Sequence, residues 1–207
     1  MPLDLRGGQV VTPEMLEEEH VKAPLAEGGP RQLLMGAGHN REKRVVLTTK
    51  REDKMWKSLV TCDINPACHV DHVFDLNTYP WPFADEEFQE IHAYEVLEHL
   101  GQQGDYKSFF AFFTELYRVM EPDGYFMFTC PSWKSEAAWA DPGHTRVLTP
   151  ITLAFLDQSQ YKRQIDECKG WMTDYRSIYK ANFVPVNFKL EESGPTAGMF
   201  WAILQKK

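Results

Sequence analysis

The chain has 207 residues, 43% hydrophobic and 25% charged, with a formal net charge of −8, the profile of one soluble globular domain with a sizeable core. That acidity argues against a surface that tracks nucleic acid along its length, and no run approaches the roughly 20 apolar residues of a membrane span. Four cysteines (Cys62, Cys68, Cys130, Cys168) without a C-x-x-C pair, and a start at Met1–Val11 that is no signal peptide, suit a cytoplasmic protein.

Residues 1–30 are acidic and rich in Pro and Gly, and Thr12-Pro13 offers an N-cap and a first-turn proline for a short helix to Val21. They read as an N-terminal extension or lid on a domain spanning 31–207. Leu33–Met35 starts the first core strand and runs into Gly36-Ala37-Gly38-His39-Asn40. From Arg41 to Lys57 basic residues outnumber acids, which predicts a solvated loop or hairpin, and the β-branched run Val45–Thr49 predicts a strand within it. Ser58–Ile64 is the next core strand, with Asp63 near its end. In open α/β sheets a bare backbone turn and an acid at neighbouring strand ends form a site for nucleoside cofactors. The glycines admit a ligand close to the chain, and the carboxylate accepts from ribose hydroxyls.

Further along, Val70–Phe74 is a short apolar run closed by Asp75-Leu76-Asn77. Pro80-Trp81-Pro82-Phe83 makes a rigid turn, because two prolines exclude helix. Glu87–Ala93 is a strand, and Tyr94 to Gly101 is its exit with a helical turn. Phe109, Phe113, Leu116, Tyr117 and Met120 recur at helical spacing, which predicts a helix over Tyr106–Met120. Pro122-Asp123-Gly124 is a tight turn, Tyr125–Cys130 a strand, and Pro131 to Thr145 a loop. Thr149-Pro150 opens a helix reaching Phe155. Phe183–Leu190 and Met199–Leu204 form a terminal β-hairpin. Strands alternating with helices and ending in a hairpin predict a Rossmann-like, three-layer α/β sandwich with a mostly parallel sheet.

The blocks Leu34-Met35-Gly36-Ala37-Gly38, Cys62-Asp63-Ile64-Asn65-Pro66, Phe74-Asp75-Leu76-Asn77, Pro80-Trp81-Pro82-Phe83-Ala84-Asp85 and Ala93-Tyr94-Glu95-Val96-Leu97-Glu98-His99-Leu100 together resemble class I S-adenosylmethionine-dependent methyltransferases. The resemblance covers about half the chain, Leu33 to Ser132. The Asp141-Pro142-Gly143-His144-Thr145-Arg146 segment is similar to small methyltransferase-like proteins of bacteriophage origin. The resemblance implies the class I methyltransferase fold, S-adenosylmethionine as cofactor, and roles for particular residues. Gly36, Ala37 and Gly38 would pass under the methionine part and ribose, Asp63 would hold the ribose hydroxyls, and Ile64 would lie against the adenine. Asp75 would accept from the adenine amino group while Leu76 packs on the ring, and Tyr94 and Glu95 would border the sulfonium and the acceptor. Three positions depart from the pattern. Leu34 stands where an acid is common, Asn40 replaces a third glycine, and Gln89 follows Phe88 where Asp is usual.

Methyl transfer needs orientation, and a base only if the acceptor must lose a proton. His144, His99 and Glu95 are the candidate catalytic groups. On a helical turn Glu95 and His99 would share a face at i and i+4, the carboxylate orienting the imidazole; the alternative is a His99 that packs under the sheet edge. His144 and Arg146, on the loop after the fifth strand, are expected to hold a polar acceptor together with Tyr94 and Trp133, although a turn satisfied by its own Asp and His accounts for the same residues. Cys68-His69-Val70-Asp71-His72 is dense in ligand types, but its spacing matches no structural zinc pattern, and no metal is expected. Cys130-Pro131 has the wrong order and place for a nucleophile, and no Asn-Pro-Pro-Tyr-like box follows Ala93. Arg41 stands where a dinucleotide fingerprint wants Gly or Ala, which argues against nicotinamide. Phe109 to Phe113 predicts a core-facing helix, with a subunit contact, hence a homodimer, or a docked lid as the lesser reading. The expected function is methyl transfer to a small-molecule, nucleotide or other polar acceptor. The alternative is a methyltransferase-like binding module without turnover.

Overall fold

The structure, a computed structural model, describes residues 31–47, 54–168, 170, 172–192 and 198–207. The expected extension or lid over residues 1–30 lies outside them. Seven strands form one sheet in the order β3-β2-β1-β4-β5-β7-β6. These are β1 (Gln32–Met35), β2 (Leu59–Asp63), β3 (His72–Val73), β4 (Phe88–Tyr94), β5 (Met120–Pro131), β6 (Phe183–Glu191) and β7 (Met199–Lys206). Pairing is parallel from β3 to β5, and β7 joins β5 and β6 antiparallel. The mostly parallel sheet with its C-terminal hairpin is as expected from the sequence. Central β1 is four buried residues, Gln32–Met35, paired on both sides, which is why it reads as a run without alternation.

One face packs on α1 (Tyr106–Val119), started by Asp105, whose carboxylate accepts the amides of Lys107 and Ser108 at 3.1 Å each. Phe109, Phe110, Phe112, Phe113, Leu116 and Val119 are buried against Leu33, Met35, Ile91, Phe126 and Phe128. Each buried ring contributes roughly 1.5–3 kcal/mol over exposure. These phenylalanines are therefore part of the chain's own core, and the lesser reading, a subunit or lid contact, is not needed to cover them. After the short α2 (Ala137–Ala140), α3 (Pro150–Ala154) adds Leu153 to the same face behind a Thr149 capping box. A fourth short helix, α4 (Gln158–Tyr161), precedes a π turn over Lys162–Asp166.

The opposite face is built differently. Its core of Leu34, Ala37, Val45, Tyr94, Met127 and Ile203, with Trp56 against it, is covered by irregular chain rather than by helix among the described residues. Val45–Leu47, the described part of the run expected as a strand, is not one. Val45 is buried and its amide goes to the Tyr94 hydroxyl at 3.3 Å, not to a strand neighbour. The turn expected at Pro122-Asp123-Gly124 occurs inside β5: pairing moves from Phe88 with Met120 to Glu90 with Tyr125, and Asp123 takes a left-handed backbone, φ 60°.

Candidate functional site

The carboxyl ends of β1, β2 and β4 meet at the Gly36–Gly38 turn. Gly36 has φ +56°, and a Cβ there would stand 2.3 Å from Val96 Cγ2, so the position admits only glycine. Gly38, at φ +51°, faces open space, with nothing within 4 Å of where its Cβ would be. Its amide donates to Asp63 Oδ2 at 2.8 Å, while Asp63 Oδ1 accepts the Asn65 amide at 2.8 Å. Each carboxylate oxygen keeps a second lone pair for an incoming hydroxyl. Ile64, next to it, is 66% exposed. A bare turn open to the front, an acid and an exposed apolar side chain fit the adenosine end of a nucleoside cofactor.

Arg41 holds this loop in place. Its guanidinium donates to the carbonyls of Ala37 and Cys68 at 2.7 and 2.9 Å and to that of Gly38. It joins the first turn to the β2–β3 connection, so it is an internal strut and no part of a solvated basic loop. Asp75 Oδ1 accepts from the Asn77 amide at 2.8 Å and its side-chain nitrogen at 3.0 Å, while Leu76 is buried in the first core.

Beyond β4 the chain bends sharply at Glu95, φ +58°. Tyr94 points away from the site: its hydroxyl accepts the amides of Arg44 and Val45 at 3.1 and 3.3 Å and lies 2.7 Å from His92 Nδ1. Glu95 points outward and accepts from Thr129 Oγ1 at 2.5 Å. Glu95 and Thr129 line a cleft of about 510 Å³ with Arg44, Val46, Met199 and Trp201. The left-handed Glu95 and the 3₁₀ turn over Leu97–His99 rule out the expected helical i, i+4 pairing of Glu95 with His99.

Glu98 takes the place beside the histidine instead. It is 3% exposed, and neither carboxylate oxygen has a hydrogen-bond partner. Burial, with the nearby Glu95 and Asp141 carboxylates, pushes its pKa up to about 8. His99 and His144 stack edge to face with ring centres 4.7 Å apart. His99 Nδ1 lies 3.0 Å from the Gly143 carbonyl, and His144 Nδ1 lies 2.8 Å from the Ala137 carbonyl. The Glu98 carbonyl accepts the amides of Thr145 and Arg146 at 2.8 and 3.0 Å, which ties the loop carrying His144 to the turn carrying His99. The sequence singles out both histidines, but not Glu98. Its signal was the adjacency of an acid and a histidine just after a strand end.

Arg146 is 9% exposed and donates to the Leu100 and Asp105 carbonyls at 3.1 and 3.0 Å and to Ser108 Oγ at 3.2 Å, with its guanidinium over the Phe109 ring. Its polar atoms face the chain's own backbone, away from the Glu95 cleft. Trp133 packs edge-on against Phe200 at 5.5 Å. The Cys68–His72 run does not gather. His69 is the left-handed cap of a 3₁₀ turn, Asp71 accepts from Thr61 Oγ1 at 2.7 Å, and His72 stacks on Phe83 at 4.9 Å. Burial pushes the Cys130 thiol up, which leaves it protonated and poor as a nucleophile.

Residues 46–128 match the family model described as a methyltransferase domain. The fold is similar to that of the N-methyltransferase NodS from Bradyrhizobium japonicum WM9, at 12% identity over 86% of this chain and 85% of that one, with a TM-score of 0.51. It is also similar to that of the PH0226 protein from Pyrococcus horikoshii OT3, at 12% identity over 88% of this chain and 84% of that one, with a TM-score of 0.50. No curated protein matches the sequence. Strand order, first turn and these likenesses agree: the fold is that of the class I methyltransferases, and residues 46–128 carry the match to a methyltransferase domain.

Proposed function

We propose that this chain transfers a methyl group from S-adenosylmethionine to a small-molecule, nucleotide or other polar acceptor presented at the mouth beyond β4 and β5. The observation that carries this reading is the grouping of Glu98, His99 and His144 just after β4 leaves the sheet, on the segment whose Val96 packs against Gly36 of the first turn. S-adenosylmethionine supplies the electrophilic methyl. Gly36–Gly38, Asp63 and Ile64 hold its adenosine end, with Asp75 and Leu76 at the edge of the base. Glu95, His99 and His144 receive or position the proton of the acceptor, and Trp133 borders it. Tyr94 and Arg146 serve by fixing the walls, since their polar atoms are engaged within the chain.

The test is formation of the demethylated cofactor when the full chain meets a panel of nucleotides and polar metabolites. An acceptor-dependent product that disappears in Asp63→Ala supports the proposal; cofactor binding with no transfer to any acceptor class counts against it. That second result would favour a binding module without turnover, a reading supported by Leu34 and Gln89, which stand where the methyltransferase pattern has acids.

A further inference from the structure

Buried carboxylates are ordinarily paired, because an unpartnered polar group away from water costs about 1–3 kcal/mol and an ionised one more. Glu98 is the exception here: among the described residues its two oxygens are the buried side-chain atoms without a hydrogen bond. It is also not isolated. One ligand atom from each of Glu98, His99 and His144 lies within 4.8 Å of the others, and this is the one such group of three among the described residues.

The histidines add an independent observation. A carbonyl oxygen only accepts, so Nδ1 of His99 against the Gly143 carbonyl, and Nδ1 of His144 against the Ala137 carbonyl, must each carry the proton. In the neutral ring that leaves the lone pair on Nε2. Imidazoles held through Nδ1–H to a backbone carbonyl are oriented as metal ligands commonly are. Gly143 makes this approach feasible, since a Cβ there would stand 3.3 Å from His99 Nδ1. Backbone bonds from Thr145 and Arg146 to the Glu98 carbonyl hold the two segments together without any ion.

We propose that Glu98, His99 and His144 form a site for one divalent first-row transition cation, ligated by the two Nε2 atoms and a Glu98 carboxylate oxygen. Two imidazoles and one carboxylate suit Zn²⁺, Co²⁺ or Mn²⁺ better than Ca²⁺ or Mg²⁺, which prefer all-oxygen shells. Ligand distances of about 2.0–2.2 Å require the three side chains to draw together from a grouping in which their ligand atoms lie within 4.8 Å of one another. Asp141, whose Oδ2 is 3.8 Å from His144 Nε2, is placed to add a fourth ligand or to orient a bound water. With three protein ligands, the cation keeps positions open for water or for an oxygen of the acceptor. The imidazoles then act as ligands in place of proton acceptors. The site goes beyond the proposed methyl transfer, and its occupancy is read without cofactor or acceptor, so the two readings fail separately.

The experiment titrates the metal-stripped full chain with Zn²⁺, Mn²⁺ and Co²⁺ by calorimetry, follows the visible absorption of the Co²⁺ form, and measures melting with and without Zn²⁺. One equivalent is expected to bind, and Zn²⁺ is expected to raise the melting temperature. Glu98→Gln and His144→Ala should each weaken binding at least about tenfold and abolish the Zn²⁺ shift, while His69→Asn, in the Cys68–His72 run, should leave both unchanged. Glu98→Gln is near-isosteric and removes a buried charge, so it keeps the readout available if His144→Ala fails to fold. The proposal is overturned if no cation binds the folded wild-type chain saturably, if Glu98→Gln binds like wild type, or if His69→Asn alone abolishes binding.

Discussion

The hydroxyl of Tyr94 lies 2.7 Å from Nδ1 of His92 and accepts the amides of Arg44 and Val45, so one phenol anchors the loop that covers the second face of the sheet. His92 Nδ1 accepts from that hydroxyl, and its Nε2 is left facing Glu90 at 3.4 Å. Tyr94→Phe keeps the ring in its core and strands two amides and an imidazole nitrogen. It should cost about 1–3 kcal/mol in urea unfolding. Cofactor affinity measured on the folded fraction should change less than about threefold. A large loss of affinity at unchanged stability would instead put Tyr94 at the ligand.

The same network gives the protein a defined acid response. Glu90 accepts from Lys43 at 2.6 Å and also from Gln32 and His92. Burial raises its pKa, but hydrogen bonds from His92 and Lys43 outweigh that and hold it at about 2. A carboxyl depressed on folding contributes stability above its ordinary pKa, and that contribution is lost as pH falls from about 4.5 towards about 2. His92 adds to this from higher pH, because burial lowers its pKa below the ordinary 6.5 and the unfolded chain takes up that proton first. Unfolding free energy should therefore decline from about pH 6.5 downward and steepen below about 4.5. Glu90→Gln should flatten the steeper limb by about 3 kcal/mol while starting from lower stability, because Lys43 is left buried and unpaired. An acid limb of unchanged slope in that variant would place the titration elsewhere.

Much of this fold is legible in the sequence because its determinants are local. The buried runs of β1 and β2, the aromatic spacing of α1, and the glycines and acid of the first turn each depend on neighbours a few residues away. Val45 is different. Its β-branched run has the composition of a strand, yet its amide partner is a phenol on β4, 49 residues away, and no local pattern encodes that. Arg41, Tyr94 and Arg146 mislead in the same way. Each is a polar side chain near a functional turn, and each is turned inward by backbone carbonyls or amides that only the tertiary structure brings near. Glu98 is not legible in the same way, because an acid beside a histidine on a turn reads as surface, and only burial shows that it has no partner.

Arg146 illustrates a positioning role that stability measurements can isolate. Its three hydrogen bonds join Leu100, Asp105 and Ser108 to the loop that presents His144. Arg146→Met preserves the apolar stem over Phe109 and removes all three. It should lower stability by about 2–4 kcal/mol and raise proteolytic cleavage between Gly101 and Asp105. Equal cleavage rates in the variant and the wild type would mean that the bonds of Thr145 and Val147 to Glu98, Gly101 and Gln103 hold the loop without the guanidinium.

Asp63 ties the first turn to the proposed cofactor site. Its carboxylate fixes the Gly38 amide and the Asn65 amide at 2.8 Å each, so any change there alters both the turn and the acceptor atoms open to a ribose. Asp63→Asn keeps one carbonyl oxygen but turns an NH₂ towards an amide donor, whereas Asp63→Ala removes both acceptors. Affinity for S-adenosylmethionine, read by calorimetry, should fall at least about tenfold in Asp63→Asn and further in Asp63→Ala, a loss of about 1.4 kcal/mol per tenfold. Ile64→Ser, which changes only an exposed apolar face, should weaken binding with little effect on melting. Wild-type affinity in Asp63→Ala would mean that the carboxylate serves the turn alone and that the ribose rests elsewhere.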